Sequence, residues 1–284
     1  MTSSLATHLA DEARLIKSVH TGKEYRIAIS LPYAYTKPRV KGWPFDDAPA
    51  RWPVIYLLDA DWYFGMVTDM IRPMAWCGST TDAIVVGIGY PGNTDVQEAW
   101  REQQARRCLD LTPIREEATE NIWGEITKRA CPTGGAGSFL QFILNELIPI
   151  IEKDYQVDPS KRSLAGHSFG GLFATFVLLE KPGLFSNYII GSPTLVYGNR
   201  FIFKREKQFA KRYKRLAANV YLSAGELEEG PQETTVTDML RFAVTLQSRN
   251  YKGLTLRKQI LADLNHCEVV APGFLAGLKM ALKK

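Results

Sequence analysis

Histidine and cysteine are scarce in this chain, with four of each in 284 residues. The cysteines (Cys77, Cys108, Cys131, Cys267) have no C-x-x-C spacing, which argues against a thiolate zinc site and a disulfide framework. No apolar run nears the ~20 residues that span a bilayer. Residues 1–23 lack a basic segment followed by an apolar one. No cleaved secretion signal is therefore read there, and a cytoplasmic location is expected. Charge of one sign is also lacking: 35 Lys and Arg against 30 Asp and Glu leave a surplus of +5. That surplus permits an anionic ligand and requires neither nucleic acid nor a membrane as partner. There is no internal repeat and no Pro/Gly/Ser linker, so residues 1–284 are expected to form one domain. Nothing in these features sets the oligomeric state.

What is present is globular: 45% hydrophobic and 23% charged residues exclude disorder. Residues 14–19 and 25–31 alternate polar and apolar around Thr21-Gly22-Lys23, the pattern of an antiparallel hairpin. Residues 53–58 and 83–88 are continuous aliphatic runs, as in strands buried on both faces of a parallel sheet. Shorter runs follow at 163–166, 188–191, 220–223 and 254–260. Helical periodicity lies between them at 139–155, 171–179, 200–216, 233–248 and 272–282. Ser138 and Gln141 read as a capping box ahead of the first of these. Alternating strand and helix predict an α/β fold with a mainly parallel central sheet. Residues 92–137 have the weakest periodicity. They read as an insertion, with a cover over the active site and an ordinary surface excursion equally weighted.

Gly166-His167-Ser168-Phe169-Gly170-Gly171 fits G-x-S-x-G between an expected strand and an expected helix. Such a turn strains the serine backbone, and the glycines remove side chains that would clash there. Ser168 Oγ is then presented at a helix N-terminus, whose dipole favours developing negative charge. A nucleophilic serine needs a base. His8 and His20 lie far from the central strands, and His167 adjoins the serine, so its side chain is expected to point away from the serine oxygen. His266 remains, just after the last strand, on the sheet edge where catalytic groups converge.

The acid is expected between serine and histidine in chain order. Glu226, Glu228 and Glu229 all follow Gly225 at the end of a strand. Glu228 is preferred because two further residues of loop let it swing toward His266. Against it, Leu227 between two glutamates fits a strand that continues its alternation. An oxyanion hole needs two backbone donors: the amide of Phe169, and that of Asp61 or a neighbour in Leu58-Asp59-Ala60-Asp61-Trp62. Trp62, Tyr63, Arg107 and Tyr197 are candidate substrate contacts, with a core role weighed equally for Trp62 and Tyr63 and a structural ion pair with Asp110 slightly favoured for Arg107.

Three patterns are set aside. Gly87-Ile88-Gly89-Tyr90-Pro91-Gly92 fits G-x-G-x-x-G, but Pro91-Gly92-Asn93 makes a turn where a dinucleotide fold opens a helix. Gly134-Gly135-Ala136-Gly137-Ser138 lacks the lysine of a phosphate loop. The basic residues between Lys204 and Arg215 flank an apolar stripe and read as a solvated helix face.

At these residues the chain resembles the esterase family of α/β-hydrolases that includes enterochelin and other siderophore esterases, S-formylglutathione hydrolases and mycolyl transferases. The marks are Pro53-Val54-Ile55-Tyr56-Leu57-Leu58-Asp59-Ala60-Asp61, the elbow Gly166-His167-Ser168-Phe169-Gly170-Gly171, Ser192-Pro193-Thr194-Leu195, Gly225-Glu226-Leu227-Glu228, and His266 with Val269-Val270-Ala271-Pro272. The siderophore-esterase branch is nearest, through Arg107-Cys108-Leu109-Asp110-Leu111-Thr112-Pro113. Ala60 stands where many members carry glycine. The resemblance implies an α/β-hydrolase fold with helices on both faces of the sheet and an N-terminal antiparallel hairpin. It implies a serine esterase working on a small-molecule ester through an acyl-enzyme, siderophore-like or another polar or aromatic ester, without metal or organic cofactor. It also points to Glu228 as the acid. An acyltransferase with the same triad and a non-catalytic binding member are the alternatives.

Overall fold

The computed structural model describes residues 10–35, 49–92, 94–231 and 233–284. His8, Asn93 and the first part of the 1–23 stretch lie outside them. The strands are β1 (Glu12–Lys17), β2 (Glu24–Ser30), β3 (Trp52–Leu57), β4 (Ile84–Gly89), β5 (Val157–His167), β6 (Asn187–Gly191), β7 (Arg215–Gly225) and β8 (Lys252–Leu261). They form one sheet in the order β1-β2-β4-β3-β5-β6-β7-β8. β1 pairs antiparallel with β2, and β2 with β4. Every pairing from β4 through β3 to β8 is parallel. The hairpin turn closes through the Ser18 amide on the Lys23 carbonyl (2.8 Å), with Gly22 at φ 67° supplying the left-handed corner.

The helices are α1 (Ala60–Trp76), α2 (Val96–Leu111), α3 (Glu117–Thr127), α4 (Ala136–Phe142), α5 (Ile148–Asp154), α6 (Phe169–Glu180), α7 (Tyr197–Arg212), α8 (Thr235–Ser248) and α9 (Val270–Ala281). Both sheet faces are covered. Ala28, Ile55, Leu57, Ala165, Ile189 and Tyr221 point to one face, where α1 and α9 pack on them with Phe64, Val67, Ile71, Phe274 and Leu278. Their neighbours Ile27, Ile29, Val54, Tyr56, Leu164, Tyr188, Ile190 and Leu222 point to the other, under residues of α2 and α4 to α8. The two sets interleave along each strand because successive side chains leave a strand on opposite faces. Each fully buried aliphatic side chain contributes about 1.5–3 kcal/mol.

Several local expectations change. α1 was not anticipated. Its buried positions Phe64, Val67, Thr68, Ile71 and Ala75 do follow a helical stripe, but Gly65 and Pro73 interrupt the propensity signal. The weakly periodic stretch holds α2 and α3. α2 lacks an apolar stripe because it buries Gln104, Arg107 and Asp110 beside Cys108 and Leu111. Ser138 and Gln141 are not a capping box, since α4 begins at Ala136 after Gly135 and both residues lie inside it. A π-helical turn over Ile143–Leu147 then joins α4 to α5. The expected 200–216 helix stops at Arg212, and Leu216 belongs to β7.

Asp110 is almost fully buried and accepts a 3.0 Å hydrogen bond from the Tyr25 hydroxyl. Burial pushes its carboxyl up to about 6, with Arg106 and the Tyr25 bond opposing that rise. The folded chain therefore holds this proton more tightly than the unfolded chain, whose Asp titrates near ~3.9. The contribution of Asp110 to stability must therefore fall as pH rises from about 4 to about 6. Asp110→Asn keeps an acceptor for Tyr25 and removes the charge. It should raise the melting temperature at pH 7.5 and change it little at pH 4. Equal effects at the two pH values in thermal denaturation would refute this.

Candidate active site

Strand register brings the chemistry-bearing turns to one edge. Leu57 pairs with Ala165, His167 with Gly191, Gly191 with Ser223, and Gly225 with Leu261. The chain therefore leaves β3, β5, β6, β7 and β8 side by side.

Ser168 is the hinge between β5 and α6, at φ 60° and ψ −119°. A non-glycine residue held there costs about 1–3 kcal/mol and persists only where the surroundings enforce it. They do: the Ser168 amide donates to the Gly191 carbonyl (3.0 Å), and its own carbonyl accepts from Leu172 (2.9 Å). A Cβ on Gly166 would stand 2.5 Å from the Gly170 carbonyl, and one on Gly171 would stand 2.7 Å from the Gly191 oxygen. Both glycines are thus required by close approach of backbone.

His266 Nδ1 lies 2.5 Å from Glu228 Oε2. Glu228 is only 1% exposed, and its other oxygen accepts from Ser192 Oγ (2.6 Å) and the Gly225 amide (2.7 Å). Burial alone would raise its carboxyl. The hydrogen bonds from His266, Ser192 and Gly225 outweigh that and hold it below the usual glutamate range. A single 3-10 turn, Glu226–Glu228, ends the strand alternation after Gly225 and separates the glutamates. Glu226 accepts from the Asp263 amide (3.1 Å) and Glu229 from Thr237. Ser192, at φ 37°, is a residue of the site to which sequence reasoning assigned no role. Its only signal was the Ser-Pro-Thr-Leu run after β6.

His167 is 2% exposed, and its ring centre lies 4.5 Å from that of His266. Burial first, and the neighbouring His266 second, push its imidazole down to about 3. It is therefore a neutral surface against which the His266 ring packs. This contact also places His266 directly beside the elbow.

The loop between β3 and α1 bends at Asp59, which is left-handed at φ 51° and ψ 41°. The Asp59 carbonyl accepts from Trp62 (3.0 Å) and Tyr63 (3.3 Å). Ala60 and Asp61 thus lie in the first turn of α1, as Phe169 does in α6, where no carbonyl four residues back satisfies the amide. The Asp61 side chain binds Arg26 and accepts from the Tyr90 amide (2.9 Å). A Cβ on Gly89 would stand 2.7 Å from the Asp61 carboxylate, and one on Gly87 would strike Phe64 at 2.5 Å. The glycines of the set-aside G-x-G-x-x-G pattern therefore make room for α1 and its aspartate.

An aromatic wall flanks the elbow. Trp62 is 40% exposed, and Trp123 of α3 meets Phe169 edge to face at 6.4 Å. Tyr63 packs inward on His167 and Phe274. Tyr197 is buried behind Phe169 and donates its hydroxyl to the Ile114 carbonyl (2.8 Å), so that hydroxyl is already engaged. Arg107 pairs with neither a free face nor Asp110. It is buried and grips Asp59 through Nε and Nη2, both at 3.0 Å. Among the described residues, Glu228, Glu233 and His266 have ligand atoms within 4.8 Å of one another, but both Glu228 oxygens are already committed to hydrogen bonds.

The family model described as "Putative esterase" matches residues 18–259, ending before His266. The ferri-bacillibactin esterase BesA of Bacillus subtilis is 36% identical over 234 residues, 80% of this chain and 74% of that protein. The siderophore enterobactin esterase of Emericella nidulans is 29% identical over 213 residues, 73% of this chain and 66% of that one. The crystal structure of the BES protein from Bacillus cereus superposes with a TM-score of 0.76 at 29% identity, covering 96% of this chain and 95% of that one. With a family match over most of its length and a 36% identical relative spanning 80% of it, the chain belongs to this esterase family and is a carboxylic ester hydrolase of the serine type.

Proposed function

We propose that this esterase opens the ester bonds of a siderophore, a metal-chelating oligoester, with Ser168 as nucleophile, His266 as base and Glu228 as acid. The observation that carries the catalytic assignment is the 2.5 Å contact of His266 Nδ1 with the buried Glu228 carboxylate, beside the elbow. A carboxylate on Nδ1 selects the tautomer with its proton there and leaves the Nε2 lone pair free. Nε2 takes the Ser168 hydroxyl proton as Oγ attacks the ester carbonyl. The resulting oxyanion accepts from the amides of Phe169 and Asp61, each worth about 3 kcal/mol. The carbonyl re-forms, the C–O bond breaks, and His266 returns the proton to the departing alkoxide. Water then repeats the cycle on the acyl-enzyme: His266 removes its proton as the oxygen adds to the acyl carbonyl, the acyl–Oγ bond breaks, Ser168 Oγ regains the proton from His266, and the acid product departs.

The siderophore substrate is supported by the relatives, which carry that activity in their names. The aromatic wall of Trp62, Trp123 and Phe169 suits flat apolar rings. We read residues 92–137, with α2 and α3, as flanking the elbow on the side of this aromatic wall, within a single domain. Among the described residues no helix is long and apolar enough to cross a membrane. Incubation with ferric and iron-free catecholate and hydroxamate oligoesters, followed by mass spectrometry, tests the substrate. Stepwise loss of ester bonds is expected. Turnover of simple aryl esters with none of these siderophores would overturn the substrate and leave the esterase standing.

A further inference from the structure

We propose that Arg107 and Asp59 act as a positioning pair that sets the spacing of the two oxyanion-hole amides, an inference that rests on the catalytic reading above. Asp59 occupies the N-cap of α1 without capping it. Its carboxylate is turned instead to Arg107 of α2 and bound twice, at 3.0 Å and 3.0 Å. The two residues are 6% and 4% exposed. The guanidinium carbon lies 5.1 Å from the Trp62 ring centre and 5.3 Å from that of Phe169. A Cβ on Gly170 would stand 3.1 Å from Asp59 Oδ2, so the carboxylate rests against the first turn of α6.

The pair therefore fills the gap between the two helix starts that carry the Asp61 and Phe169 amides. On the far side Asp61 is tied to Arg26 and the Tyr90 amide, so residues 59–61 are held from both flanks. A buried ion pair is weak as a source of stability, because desolvation consumes most of its attraction. Its bidentate fork does fix geometry, which a lysine cannot reproduce. Neutralising Asp59 also leaves a bare cation near the developing oxyanion. An electrostatic role for the aspartate thus predicts faster catalysis in Asp59→Asn, whereas a positioning role predicts slower catalysis.

The test is steady-state hydrolysis of one aryl ester by wild type, Asp59→Asn and Arg107→Lys. Rates are normalised to the fraction of Ser168 that a fluorophosphonate labels to completion, so misfolded protein does not count. Each variant should lose about 10–100-fold in kcat with KM within about twofold, somewhat less than deletion of one donor. Affinity for a boronic acid that adds to Ser168 as a tetrahedral adduct should fall by a similar factor. A kcat at or above wild type in both variants, or a loss confined to KM, would overturn the positioning role. If the wild type neither turns over esters nor takes up the label, the catalytic reading itself fails.

Discussion

Ser168→Ala should abolish ester turnover, lowering kcat/KM by roughly 10³–10⁶ while substrate affinity and melting temperature stay near wild type. The size follows from what the hydroxyl does. Without Oγ there is no covalent intermediate, and His266, held by Glu228, has no hydroxyl proton to remove. The fold should survive because the elbow is held by backbone. The Ser168 amide binds Gly191, its carbonyl binds Leu172, and Gly166 and Gly171 accommodate the close contacts, all without the side chain. Alanine also has no bulk at Cβ beyond that of serine, so φ 60° is no harder to hold. Circular dichroism and turnover on the same preparation decide the matter. Ready turnover by a folded Ser168→Ala protein would end the serine mechanism.

Glu228→Gln should reduce kcat by roughly 10²–10⁴, with the loss of imidazole orientation and charge stabilisation as the cause. The carboxylate accepts three hydrogen bonds, from His266, Ser192 and the Gly225 amide. An amide side chain has one accepting oxygen. Whichever way Gln turns, its NH₂ meets a donor, His266 Nδ1–H on one side or the Gly225 amide on the other. The mismatch is buried and costs about 1–3 kcal/mol of stability as well. Because the folded carboxyl is held below its unfolded value, Glu228 contributes stability above about pH 4.3, the unfolded glutamate value. That contribution fades as pH falls through the lower folded value, so Glu228→Gln should flatten the acid limb of unfolding. Glu226→Gln, touching only the Asp263 amide, should stay near wild type. A crippled Glu226→Gln beside an active Glu228→Gln would reverse the assignment. Full activity in both would leave a Ser168–His266 dyad.

Much of the scaffold is legible along the chain because its signals are local. Aliphatic runs of strand length mark β3 and β4, and alternation marks the hairpin. The elbow needs glycines at fixed offsets because backbone meets backbone there. With four histidines in the chain, position was enough to single out His266. α1 hides behind Gly65 and Pro73, and α2 carries no stripe because its buried face pairs with distant partners. α2 buries Arg107 against Asp59 and Asp110 against Tyr25, and no periodicity records a residue whose burial depends on a charge or hydroxyl elsewhere in the chain.

The amino-acid sequence alone determined the order of the strands along the chain, the strand-turn-helix at Ser168 and the presence of one well-placed histidine, since each rests on spacing within a few residues. The tertiary structure alone decided which glutamate meets that histidine. Three glutamates follow Gly225, and a single 3-10 turn buries Glu228 under Ser192 and His266 while leaving Glu226 on Asp263 and Glu229 on Thr237. It also decided that Arg107 serves Asp59 rather than Asp110. Both choices depend on which strand ends and helix faces the packed sheet brings within 3 Å, a long-range fact that residue spacing does not carry.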